Sequence, residues 1–167
     1  MKKLRLKKIL FTILAFAIAG YVQAQCNDWK WPEDIAATEE KNVLYTDALR
    51  NSDFEAAKGP HQWLLQNAPD LNTAIYINGD KIYKGLMEGT ADEAQKQVYF
   101  DSLIMMYDMR IQYCGEEKDV IIRKAYETYR QNVKKKSELK NILDLFDKAY
   151  ELNGNELDYY VILPYMS

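Results

Sequence analysis

His61 is the chain's single histidine, and two cysteines, Cys26 and Cys114, stand far from it and from each other. A zinc site draws three or four His, Cys or carboxylate ligands from short spacings, and no such set is present. Nucleophilic catalysis asks for a serine or cysteine beside a base. There is no Gly-x-Ser-x-Gly elbow, and His61 follows Pro60 inside a helical pattern, so it reads as a packing or surface residue. Gly79-Asp80-Lys81 lacks the further glycines and the Ser/Thr of a phosphate loop. Carboxylate pairs of the kind that cleave glycosides occur at Glu39-Glu40, Glu116-Glu117 and Asp144/Asp147, on faces expected to meet water. The expectation is no catalysis, no metal and no cofactor.

Thirteen tyrosines and three tryptophans are the other expressive residues. Aromatics at helical spacing are chiefly interhelix filler, and those left exposed, such as Trp29 and Trp31, offer faces for stacking.

Met1–Ala24 has the form of a secretory leader. Lys2, Lys3, Arg5, Lys7 and Lys8 precede the apolar run Ile9–Ala19, and Val22-Gln23-Ala24 supplies small residues for a peptidase. That run is too short to span ~30 Å of hydrocarbon comfortably. Cleavage after Ala24 sends the chain to the periplasm or beyond and shifts its net charge from −3 to −8, since the five bases leave with the leader. So acidic a chain is a poor partner for nucleic acid or an anionic bilayer. In an oxidising compartment Cys26 and Cys114 can pair. Cys26 also lies where a lipidated cysteine would, but Gln25 before it is not the small residue such a signal wants; two unrelated thiols are the plainest reading.

Beyond Gln25–Trp31 the pattern is helical almost throughout, with sparse glycine and sparser proline. Pro32 can open a first helix running to about Arg50. Asn51-Ser52-Asp53 breaks it, with Ser52 or Asp53 suited to cap a second, which Pro60 should kink or delay and which stops at Asn67-Ala68-Pro69. A third helix is expected from about Leu71 to Leu86. A fourth runs from Ala91 to Tyr113 on a stripe of Tyr99, Leu103, Met106, Tyr107 and Ile111, with Gly115 placed for a left-handed cap. A fifth spans about Asp119–Gln131, and Lys134-Lys135-Lys136 reads as a solvated turn. Ser137 is expected to cap a sixth helix bearing Leu139, Ile142, Leu143, Phe146, Ala149 and Tyr150. Asn153-Gly154 closes that helix, and a seventh begins over Glu156–Tyr165.

These helices pair. Ser52-Asp53-Phe54-Glu55-Ala56-Ala57 resembles the turn and second-helix opening of a tetratricopeptide repeat, and Asn67-Ala68-Pro69-Asp70 resembles its proline-containing end. Gly79 with Ile82-Tyr83 is similar to the small-then-aromatic signature of a first helix. Phe146, Ala149, Tyr150, Leu152, Asn153 and Gly154 follow the aromatic–alanine–leucine pattern of a unit's end. With the leader, the whole is similar to exported tetratricopeptide-repeat proteins of the Bacteroidetes type.

The resemblance implies an all-α, right-handed solenoid of antiparallel helix pairs, with units Pro32–Pro69, Asp70–Gly115 and Glu116–Gly154 and a partial fourth, 155–167. A repeat array needs a polar capping helix, whereas the last segment carries Leu157, Tyr159, Tyr160, Val161, Ile162, Leu163 and Tyr165. A truncated parent chain is expected, with Tyr160 and Leu163 left exposed. Carrying the family's groove positions onto this chain points to Asn42, Thr46 and Arg50 in the first unit, to Tyr76, Asp80 and Tyr83 in the second, and to Asp119, Tyr126 and Arg130 in the third. The carboxylate clamp of cytosolic relatives is unmatched, because Lys41 lacks its asparagine one turn later. The expected function is a non-catalytic envelope scaffold that binds a protein or peptide. The alternative is a glycan- or nutrient-binding accessory module that stacks ligands on Trp29, Trp31 and tyrosines.

Overall fold

A computed structural model describes residues 26–157. Among these the regular structure is all-α: six helices, two short 3-10 turns and no strand. Helix α1 (Ile35–Arg50) begins three residues after Pro32, because Asp34 rather than the proline sets its start; the Asp34 carboxylate accepts from the Ala37 N–H. Helix α2 (Phe54–Asn67) is capped in the same way by Asp53 on Ala56. Pro60 neither ends nor delays α2. Gly59 before it lacks the Cβ that a proline ring would meet, which removes one of the two clashes that usually break a helix there.

Asn72 caps α3 (Thr73–Gly89) and Asp92 caps α4 (Glu93–Cys114). Gly115 follows at φ 68°, the left-handed cap that favours glycine. Helix α5 is Glu117–Asn132. Ser137 does not cap the next helix: it lies in a 3-10 turn, Lys136–Glu138, and α6 (Leu139–Asn153) starts without a side-chain cap. Gly154 closes α6 at φ 53°, and Gly154–Glu156 forms the second 3-10 turn. The rest of the expected seventh helix, with Tyr160 and Leu163, lies outside the described residues. No helix among the described residues is long and apolar enough to cross a membrane.

Packing follows chain order. Each helix lies chiefly on the one before and the one after it, from α1 on α2 through to α5 on α6. The larger core runs through α1–α4, with Tyr45, Leu64, Ile75, Ile82, Leu103 and Met106 fully buried. Gly79 lets α3 close on its neighbours: a Cβ there would collide with the Met106 sulfur and stand 2.6 Å from His61 Cε1. A smaller core joins α5 to α6 through Ala125, Ile142 and Phe146, with Leu157 packed against it.

Cys26 and Cys114 are joined by a disulfide, with Cα atoms 5.0 Å apart and both residues buried. Two unrelated thiols are therefore not what the structure holds, and the Cys26 sulfur has no valence left for a lipid. The bond straps the N-terminal segment across the ends of α2, α3 and α4. Backbone pairing continues the strap, as Thr73 N–H donates to Cys26 O (2.9 Å) and Lys30 N–H to Leu71 O (2.8 Å).

Candidate functional site

Residues three and four apart on a helix share a face, so Thr46 and Arg50 of α1 look the same way, as do Lys81, Lys84 and Glu88 of α3. The structure sets these two faces opposite each other across a cleft of about 670 Å³. Its apolar side is Leu49 and Phe54. The Phe54 ring lies so close to Gly85 that any Cβ there would collide with it. A second cleft of about 270 Å³ adjoins it, lined by Glu127, Arg130 and Gln131 of α5 and by Lys96 and Phe100 of α4. Lys84 and Glu88 belong to both, so one surface runs across α1, α3 and α5.

Lys84 is the electrostatic centre of that surface. Its ammonium lies 3.0 Å from the Asp80 carboxylate on its own helix and 2.8 Å from Glu127 on α5. Burial works against its charge, yet the hydrogen bond to Glu127 and the pull of Asp80 outweigh this and hold its pKa above the ordinary lysine value. The Tyr107 hydroxyl donates to Asp80 from beneath, and burial pushes that phenol well up, so it stays protonated. Arg130 sits 3.4 Å from Glu127 and over the Tyr126 ring. Lys81 is exposed and has no ion-pair partner among the described residues. The surface thus offers mutually neutralised charges at its centre, with exposed Lys81, Arg50 held 2.7 Å from Asp47, and Arg130 around them.

Of the residues singled out from the sequence, the structure brings Thr46, Arg50 and Asp80 to the first cleft and Arg130 to the second. Tyr76 and Tyr83 are in the core instead. The Tyr76 hydroxyl donates to Pro69 O at 2.6 Å, and the Tyr83 hydroxyl accepts from Gln62. They occupy the face of α3 that meets α2 and α4 rather than the cleft. Asn42 is half-buried with an unpartnered Oδ1, Tyr126 lies under Arg130, and Asp119 is exposed away from both clefts. Sequence reasoning missed Lys84 and Glu127, although the Asp80/Lys84 spacing of four was visible.

His61 lines neither cleft. Its Nε2–H donates to the Ile75 carbonyl (2.8 Å), which places a proton on Nε2, while Nδ1 is buried without a partner, and the Tyr45 and Tyr83 rings meet it edge-on. Burial depresses its pKa, with the Ile75 hydrogen bond opposing. Glu116, expected to be solvated, is instead half-buried, with Arg110 at 2.6 Å and the Thr73 hydroxyl donating to it. Trp29 and Trp31 are exposed and stacked on each other, centroids 5.3 Å apart and planes within 10°. Among the described residues no group of three or more His, Cys, Asp or Glu side chains gathers where a cation could sit. Compared with protein-family models, curated proteins and solved structures, the chain matches none of them.

Proposed function

We propose that the chain is an exported, tetratricopeptide-like scaffold that presents the α1–α3–α5 surface to a protein or extended peptide in the cell envelope. The observation that carries this is the way the odd-numbered helices share one face. Lys84 of α3 reaches Glu127 of α5, and Asn78 of α3 donates to the Tyr45 hydroxyl of α1 at 3.2 Å. Stacked hairpins whose first helices line a common surface are what a repeat solenoid provides. Ala57 and Ala149, fully buried, fit the small positions such a repeat uses. Export is supported by the leader pattern and by a disulfide of the kind that persists where thiols are not kept reduced. Affinity would come from apolar anchoring on Leu49 and Phe54, with Arg50 and Lys81 selecting acidic or carbonyl-rich partners.

A site-resolved crosslink tests the proposal. Benzoylphenylalanine placed at Lys81 of the full chain, expressed in its own envelope, should give one discrete adduct. Competition by Arg50→Glu in the same chain should reduce that adduct about tenfold, as loss of a charged contact implies. The same probe at exposed Gln112, outside both clefts, should give none. Equal adducts at the two positions would sink the proposal.

The glycan reading draws on the exposed Trp29/Trp31 pair. Because the two rings are stacked on each other rather than set side by side in one plane, they do not form a coplanar two-ring platform, which weakens that reading. Quenching of tryptophan fluorescence by cello- or chito-oligosaccharides would restore it.

A further inference from the structure

A separate cleft of about 580 Å³ opens between α4 and α6, with α5 as its floor, and shares only Phe100 with the surface described above. Its α4 wall runs from Gln97 to Asp108, its α6 wall carries Asn141 and Leu145, and its floor is Lys124, Thr128 and Asn132, one face of α5. Asn132 is 5% exposed, and its Oδ1 is buried without a hydrogen-bond partner. Leaving such a group unmade costs about 1 to 3 kcal/mol, and native proteins keep few of them. The amide turns on a soft terminal torsion, so either end can be swung toward the cleft.

The remaining lining says what kind of group would use that amide. Its charges are nearly balanced, Lys124 and Lys135 against Asp101, Asp108 and Glu138: Lys124 pairs with Asp108 at 2.5 Å, while the neutral Gln97 amide accepts from Lys135 at 3.1 Å and donates to Asp101 at 2.8 Å. A strongly charged ligand of either sign would meet like charge as well as counter-charge there. The one aromatic in the lining, Phe100, is buried to 5% exposure, so there is no stacking face for a sugar. A polar floor does not suit the apolar side of an amphipathic helix. Exposed Met105 and half-buried Ile104 and Leu145 do offer apolar contact. The α4 wall is about 16 Å long at 1.5 Å per residue, the span of roughly five extended residues. A carboxamide carries the same donor and acceptor as a peptide group and can pair with both at once.

We propose that this cleft binds an extended peptide of about five residues without net charge, its backbone paired with the Asn132 carboxamide and one apolar side chain set against Met105 and Leu145. The site is independent of the α1–α3–α5 surface. The test uses the oxidised full chain and a pool of acetylated, amidated random hexapeptides lacking charged residues. Selected peptides should shift the Asn132 side-chain amide resonance. Asn132→Leu should weaken their binding about tenfold, the loss of a bidentate amide contact, while leaving the melting temperature unchanged or higher because an unpartnered buried amide has gone. Met105→Asp, at an exposed position, should abolish binding without touching the fold, and Lys81→Glu should leave it intact. Equal enrichment on wild type and Asn132→Leu would overturn the proposal, as would an Asn132 shift produced by chito-oligosaccharides and not by peptides. A fall in melting temperature for Asn132→Leu would show the amide to be structural, and the proposal would fail on that result too.

Discussion

Helices α1–α4 and helices α5–α6 are built to different standards. The first four share a continuous core and are strapped by the Cys26–Cys114 bond. The last two meet over a smaller core of Ala125, Ile142 and Phe146, although Val120 of α5 belongs to the larger one; Leu139, Leu143 and Tyr150 of α6 are about half exposed, as Ile35, Val43 and Leu44 of α1 are. Stability in an array of chain-neighbour contacts is a sum of local contributions, so a thin interface opens without waiting for a thick one. The contrast places the proposed α1–α3–α5 surface across the junction of a larger and a smaller core. Lys84 and Glu127, the bridge between α3 and α5, sit at that junction.

Removing the disulfide is expected to have the largest effect. Cys26→Ser with Cys114→Ser opens a loop of 88 residues in sequence separation, worth about 4 to 5 kcal/mol in the chain-entropy account. Urea unfolding should show that loss, and hydrogen exchange should place it at Ile82 and Leu103 with little change in α6. Equal acceleration in α6 would mean one cooperative unit and would break the comparison. Phe146→Ala should come next, at about 3 kcal/mol for a buried phenylalanine in a small core. Amides of α6 should then exchange faster while those near Tyr45 and Leu64 hold; a uniform loss would again unite the two regions.

The smallest effect sharpens the comparison through pH. His61 is neutral when folded and has its pKa below the ordinary 6.5, so the unfolded chain takes up its proton first as pH falls. Its contribution is complete above about pH 6.5 and declines below it, by at most about 1.4 kcal/mol per pH unit. His61→Gln keeps a donor for the Ile75 carbonyl but does not titrate, so its urea midpoint should lose that slope between pH 7 and about pH 5.5. The change should appear in α1–α4 alone.

Much of the helix layout was legible because caps and breakers act locally. Asp53 before α2 and Gly115 after α4 do in the structure what their residue types require. Pro32 and Ser137 misled for the same reason, since Asp34 and the Lys136–Glu138 turn set those starts through geometry that propensity does not encode. The surface was only partly legible. A repeat alignment located Thr46, Arg50, Asp80 and Arg130 at the clefts, but it put Tyr76 and Tyr83 there as well, and rotation about a helix axis is fixed by packing against neighbours. The Cys26–Cys114 link was one of several open readings, because pairing depends on Cα atoms meeting, which sequence separation does not report.

A chain made from its N-terminus carries Cys26 from the outset, while Cys114 arrives only when the fourth helix is finished. The clasp can therefore close only on hairpins that have already been produced. Until then the earliest thiol is unmated and open to any passing oxidant or stray sulfhydryl, so the quality of the finished molecule rests on a latch that is thrown late in its manufacture.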